Sequence, residues 1–80
     1  MANKLVLEDR RNDPWGKVEA RIIWEGTSQQ SSVWVNESGR AEFDGTGLIN
    51  AVVVAGEAIT PPPRKVNGST TIIVTSDYYH

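Results

Sequence analysis

The chain has 80 residues, no cysteine, a single histidine at its last position and a formal net charge of -2. A disulfide framework, a thiolate nucleophile and a Cys/His zinc site are therefore all excluded. Its eight basic residues are scattered between positions 4 and 65 without forming a tract, which argues against nucleic acid as a partner, since phosphate binding draws its affinity from clustered Lys and Arg.

Residues 1–16 start with Leu5, Val6 and Leu7 and then turn polar, which predicts a short edge strand or arm followed by a loop. Pro14 fixes its own φ and pushes Asp13 away from helix, and Gly16 permits a turn, so Trp15 is presented at a corner. There it either caps one end of the core, as a largely buried Trp does, or meets a ligand. Residues 17–25, KVEARIIWE, place Val18, Ala20, Ile22 and Trp24 on one parity. Period two over such a run predicts a strand with one buried face. Gln29, Gln30, Ser31 and Ser32 read as a solvated loop.

Residues 32–36 form the next strand, with Val33 and Val35 sharing a face and Trp34 pointing the other way. If the valines face the core, that indole is an outer plate for a sugar ring, a base or a partner surface; alternatively both faces are covered, or it pairs across the strands with Ile23. Asn36, Glu37, Ser38 and Gly39 are turn formers in a row and mark a hairpin. Residues 40–44 then alternate, with Ala41 and Phe43 inward and Arg40, Glu42 and Asp44 outward. Gly45, Thr46 and Gly47 break that strand as a bulge or corner. The nearly continuous apolar run over residues 48–55 asks for cover on both faces, from a central place in the sheet plus a neighbouring subunit or the other sheet.

Thr60, Pro61, Pro62 and Pro63 are read as a rigid extended connection rather than a docking peptide. Residues 64–68 complete the link. The last strand spans residues 69–76, with Thr70, Ile72 and Val74 opposing Thr71, Ile73 and Thr75, and leads into Tyr78, Tyr79 and His80. Five to six short strands at roughly 10-residue spacing predict an all-β fold, a small antiparallel β-sandwich or open barrel. It forms a single domain over residues 1–80, with 1–16 as the arm or edge strand.

The segment Val35-Asn36-Glu37-Ser38-Gly39-Arg40-Ala41-Glu42-Phe43, followed by Gly47 and the apolar run over 51–55, resembles a pattern shared by small Ig-like modules. The families are the carboxypeptidase regulatory-like domains and the invasin-type bacterial Ig-like domains. In both, a turn ending in Gly leads into a strand with small or aromatic residues, then a Gly-containing corner and a Val/Ala-rich strand. Ile49 stands where the regulatory domains usually carry an aromatic, and the opening residues match neither family's first strand. The resemblance implies a non-catalytic structural or adhesion module and transfers no functional residues.

Catalysis has little to work with. His80 is the sole imidazole and sits at a terminus, where chains fray, so no serine triad can be assembled. Glu42 and Asp44 share a strand face, with Glu19 or Glu25 as further carboxylates, and such a group holds a cation or does acid/base work only if it is more than a solvated surface. No phosphate loop or dinucleotide fingerprint occurs. We therefore expect no enzyme, no cofactor and no metal.

A domain this short buries only roughly 60% of its unfolded surface, and without staples it gains from a second copy or a larger assembly. The expected function is accordingly a structural or protein-interaction module that self-associates or docks in an assembly such as a phage or secreted structure. Val52, Val53, Val54, Ile72 and Ile73 are its candidate interface residues. The alternative is a carbohydrate or small-ligand binder using Trp15, Trp34, Tyr78 and Tyr79. The sequence shows neither a signal peptide nor an apolar run near the ~20 residues a membrane helix needs. As written it is expected in the cytoplasm with no membrane partner, or in a virion or outside the cell if it is a structural or excised module.

Overall fold

Alternating apolar and polar side chains drive the described residues, 2–59 and 64–76, into strands throughout, and in the computed structural model no helix occurs among them. In chain order the strands are β1 (Asn3–Glu8), β2 (Val18–Trp24), β3 (Gln30–Val35), β4 (Arg40–Phe43), β5 (Gly47–Val54), β6 (Glu57–Ile59), β7 (Arg64–Val66) and β8 (Thr71–Thr75). They make two sheets. One is three-stranded in the order β4-β1-β8, and the other is five-stranded in the order β3-β2-β5-β6 with β7 also on β5. The protein is thus a small all-β sandwich. Neighbours pair antiparallel except β1 and β8, which run parallel.

Each strand turns one face inward. Leu5 and Leu7 of β1, Ala41 and Phe43 of β4, and Ile72 and Val74 of β8 pack into one buried cluster with Ala20, Ile22 and Trp24 of β2, Val35 of β3 and Ile49, Val52 and Val54 of β5. Fully burying such side chains contributes roughly 1.5–3 kcal/mol each. Trp24 and Phe43 join the two sheets edge to face, their ring centroids 6.0 Å apart at 61°. The Trp24 Nε1–H donates to Ser31 Oγ at 3.1 Å, so the indole is buried without losing its polar contact.

Several expectations are corrected. The opening segment is neither arm nor edge: β1 lies between β4 and β8, because Leu5 and Leu7 are wholly buried and Asn3 is anchored among backbone groups. The Asn3 side chain, also fully buried, donates from Nδ2 to the Gly45 carbonyl at 2.9 Å. Its Oδ1 accepts from Gly68 N–H at 2.9 Å and Thr70 N–H at 3.2 Å. Gln30, Ser31 and Ser32 belong to β3 rather than to a loop. The link after β5 itself forms strands, with β6 returning along Val52, Val53 and Val54 and β7 pairing Gly47, Leu48 and Ile49. Thr60, Pro61, Pro62 and Pro63 lie outside the described residues.

β5 is central, as its apolar run suggests, but its outer face is only partly covered. A register shift opposite Ile23 and Trp24 turns Ile49, Val52 and Val54 inward, while Leu48 is exposed and Ala51 and Val53 are half-buried. Such a bulge resets the two-residue alternation.

The turn over residues 36–39 is tight but does not make a hairpin. Gly39 N–H donates to the Asn36 carbonyl at 2.9 Å, and Ser38 N–H donates to Asn36 Oδ1 at 2.9 Å. Gly39 then takes φ 76 and gives its carbonyl to Leu7 N–H at 2.7 Å. A side chain there would strike the Leu7 carbonyl oxygen, so glycine lets β4 leave β3 and join the opposite sheet.

Candidate interaction surface

At this sheet-switching corner the outer faces of the two sheets run into each other. β3 delivers Trp34, the turn delivers Asn36, β4 delivers Arg40 and Glu42, and β1 delivers Lys4 and Val6 to one open groove of about 620 Å³ that reaches Thr71 of β8. Strand parity sets the arrangement. Val35 is fully buried, which forces Trp34 outward to 64% exposure. The β1–β4 register sets Lys4 opposite Glu42 and Val6 opposite Arg40, and opposite charges across a strand pair favour that register. On the other side Val6 lies opposite Ile73, itself 54% exposed. The groove therefore has an apolar floor, an aromatic wall and a rim carrying both signs of charge.

Of the aromatic candidates among the described residues, Trp34 is presented at the surface and Trp15 is not. Trp15 is corrected as a ligand residue: it belongs to the buried cluster, as the core-capping alternative has it, with its backbone N–H donating to the Leu7 carbonyl at 3.0 Å. The corner loop folds back against the end of β1, and that burial leaves the indole no ligand-facing plate. Tyr78 and Tyr79 lie outside the described residues. Trp34 does not pair with Ile23 either; it sits opposite Glu19, and Ile23 opposite Gln30.

The interface candidates divide by parity. Val52, Val54 and Ile72 are buried in the core, covered by this chain's own opposite sheet, so they offer no surface to a partner. Val53 and Ile73 face outward, Val53 half-buried opposite Arg21 and Ile73 at the centre of β8.

The carboxylates do not converge. Glu42 lines the Trp34 groove, Glu19 lines a separate hollow with Arg21 and Val53, and Asp44 and Glu25 lie in a third beside Trp24. Among the described residues no group of three or more His, Cys, Asp or Glu is arranged to hold a metal ion. No helix among them is long and apolar enough to cross a membrane.

The groove's polar members were not legible as a set, because Lys4, Asn36, Arg40 and Thr71 are brought together by long-range pairing. The alternation over residues 40–44 marks Arg40 and Glu42 as outward, and nothing local links them to Lys4. No family model, no curated protein and no solved structure matches this chain.

Proposed function

We propose that the chain is a non-enzymatic interaction module that docks onto a protein partner in a larger assembly through the groove beside Trp34. The observation that carries this reading is a tryptophan 64% exposed on a strand whose flanking valines turn inward. Holding a large indole in water forgoes about 2–3 kcal/mol that burial against a partner would recover. Tryptophan and arginine are the residues most enriched where truncation costs an interface most, and here Arg40 lines the same groove. Lys4 opposite Glu42 gives that surface both charge signs, which sets register and rejects wrong partners. The resemblance to small Ig-like modules supports the same reading, since a two-sheet sandwich is the architecture such modules would have.

A second reading rests on the polar ring around the indole, formed by Asn36, Arg40, Glu42 and Lys4: an aromatic plate surrounded by donors and acceptors also suits a sugar ring. Selection of displayed random peptides on the immobilised protein, run beside a glycan panel, separates the two. We expect peptide enrichment on the wild type that Trp34→Ala abolishes while the far-UV spectrum is unchanged. Glycan capture lost in Trp34→Ala would transfer the site to carbohydrate. Capture of either kind that survives Trp34→Ala would remove the groove from consideration.

A further inference from the structure

We infer that β8 is a two-fold docking edge at which a second copy of this chain adds its own β8 antiparallel, joining two three-stranded sheets into one of six. The inference does not need the Trp34 reading, since it rests on the backbone edge of β8, although Val6 and Thr71 also line that groove.

The backbone geometry comes first. Lys4 N–H donates to the Thr70 carbonyl and Ser76 N–H donates to the Glu8 carbonyl, each at 2.9 Å. Along a strand the N–H and C=O of alternate residues point to opposite sides. Thr70, Ile72, Val74 and Ser76 therefore spend their groups on β1, and Thr71, Ile73 and Thr75 direct theirs away from it. Among the described residues no strand pairs with that outer side. Thr71, Ile73 and Thr75 are all exposed.

The sequence of the edge then selects the occupant. Thr70-Thr71-Ile72-Ile73-Val74-Thr75-Ser76 contains no charge and no proline, the devices that usually blunt an edge strand. It is also symmetric in chemistry about Ile73, with Ile72 answering Val74, Thr71 answering Thr75 and Thr70 answering Ser76. A two-fold axis requires such self-complementarity, because residue i must suit residue j and j must suit i. With the axis at Ile73, antiparallel pairing matches Ile73 with its own copy and Thr71 with Thr75. The three outward residues of each strand then form about six hydrogen bonds in register.

The outer face agrees. Val6 lies beside Ile73, so across the axis the row reads Val6, Ile73, Ile73, Val6, an apolar band covering the side chain that is 54% exposed in one copy. Because the axis runs perpendicular to the joined sheet, both Trp34 grooves open on the same face. A five-residue strand per side is far smaller than the roughly 20–30 residues of a standard interface, so the dimer is weak and concentration-dependent.

Sedimentation equilibrium from about 10 μM to about 1 mM, a range suited to a small interface, tests the proposal beside two outward-facing variants. Ile73→Lys sets two ammonium groups at the axis and is expected to weaken association at least tenfold without altering the far-UV spectrum. Ile73→Cys introduces the only thiol in a cysteine-free chain. Its Cα lies about 5.5 Å from its copy in a hydrogen-bonded pair, within the range of about 4.4–6.8 Å that a disulfide spans. Oxidation should link Ile73→Cys into a dimer much faster than Leu48→Cys, a control exposed on the other sheet. A wild type that stays monomeric throughout, association insensitive to Ile73→Lys, or equal cross-linking of the two cysteine variants would each overturn the inference. None of these results depends on Trp34.

Discussion

At one edge of the three-stranded sheet, β4 carries Arg40 and Glu42 outward, and both outward backbone groups of Arg40 are already occupied. The Arg40 carbonyl accepts from Asn36 N–H at 2.9 Å, and Arg40 N–H donates to Asn36 Oδ1 at 3.1 Å. At the other edge, β8 carries no charge and leaves Thr71, Ile73 and Thr75 exposed. The strands share a central neighbour and a similar inner face, with Ala41 and Phe43 on one and Ile72 and Val74 on the other. A short apolar-inward strand therefore does not determine whether its edge is open; the turn that feeds it does. The turn before β4 has an asparagine that reaches forward over the edge. The turn before β8 is tied inward instead, to the side chain of Asn3.

The largest effect expected from breaking this comparison lies on the inner faces. Phe43→Ala removes the β4 half of the aromatic contact between the sheets and should cost about 3–5 kcal/mol in urea unfolding, the usual penalty for emptying a buried phenylalanine site. Near-UV circular dichroism should lose intensity, since Trp24 would no longer be held edge-on. A cost below about 1 kcal/mol would mean that the sheets close without this pair.

Next comes the tie beneath β8. Asn3→Ala removes the partner of the Gly45 carbonyl and of the Gly68 and Thr70 N–H groups, which belong to exposed or half-buried residues that water can reach, so each lost bond costs about 0.5–1.5 kcal/mol, though not additively. We expect a loss of about 1–2 kcal/mol, with Gly68 and Thr70 amides exchanging sooner than those of β4. Uniform exchange across both edges would show that Asn3 stabilises the whole sheet and not the β8 side.

Asn3 also marks where sequence reading stops. Strands whose apolar residues alternate cleanly, β2 and β4, were legible together with their inward residues, because period two is a local signal; in β8 the two parities were legible but not which of them faces inward. The opposition of Trp34 to Val33 and Val35 was legible as well, its exposure only on condition that the valines face the core. The central place of β1 was not, since Leu5, Val6 and Leu7 carry no local sign of partners some 35 and 67 residues away. The role of Asn3 was hidden for the same reason: a polar residue near a terminus reads as exposed unless its distant backbone partners are known. At residues 36–39 the turn chemistry was read correctly but not its consequence, because a tight turn leads equally well into a hairpin or into the opposite sheet. Parity also separates Val52 and Val54 from Val53, yet a run of valines conceals it until the pairing with β2, bulged at Asn50, fixes the phase.

The smallest effects sharpen the comparison most, because they separate the two ways of closing an edge. Asn36→Ala withdraws the Oδ1 acceptor from Arg40 and Ser38 while leaving both charges of β4 in place. It should cost about 1 kcal/mol and leave association unchanged, since the charged side chains of Arg40 and Glu42 still blunt the edge. Replacing both charges, Arg40→Thr with Glu42→Thr, should alter stability by no more than about 0.5 kcal/mol at exposed sites, also without new association, because Asn36 still covers the Arg40 backbone. The triple variant lacks both the charges and the Oδ1 cover of the residue 40 N–H, keeping only the backbone bond from residue 36 to the residue 40 carbonyl, and only there should sedimentation detect a second self-association that persists when Ile73→Lys is added. If the threonine pair alone associates, charge is what closes the β4 edge. If the triple variant does not, the flanking β3 strand closes it, and the contrast with β8 lies in sheet position rather than in the turn.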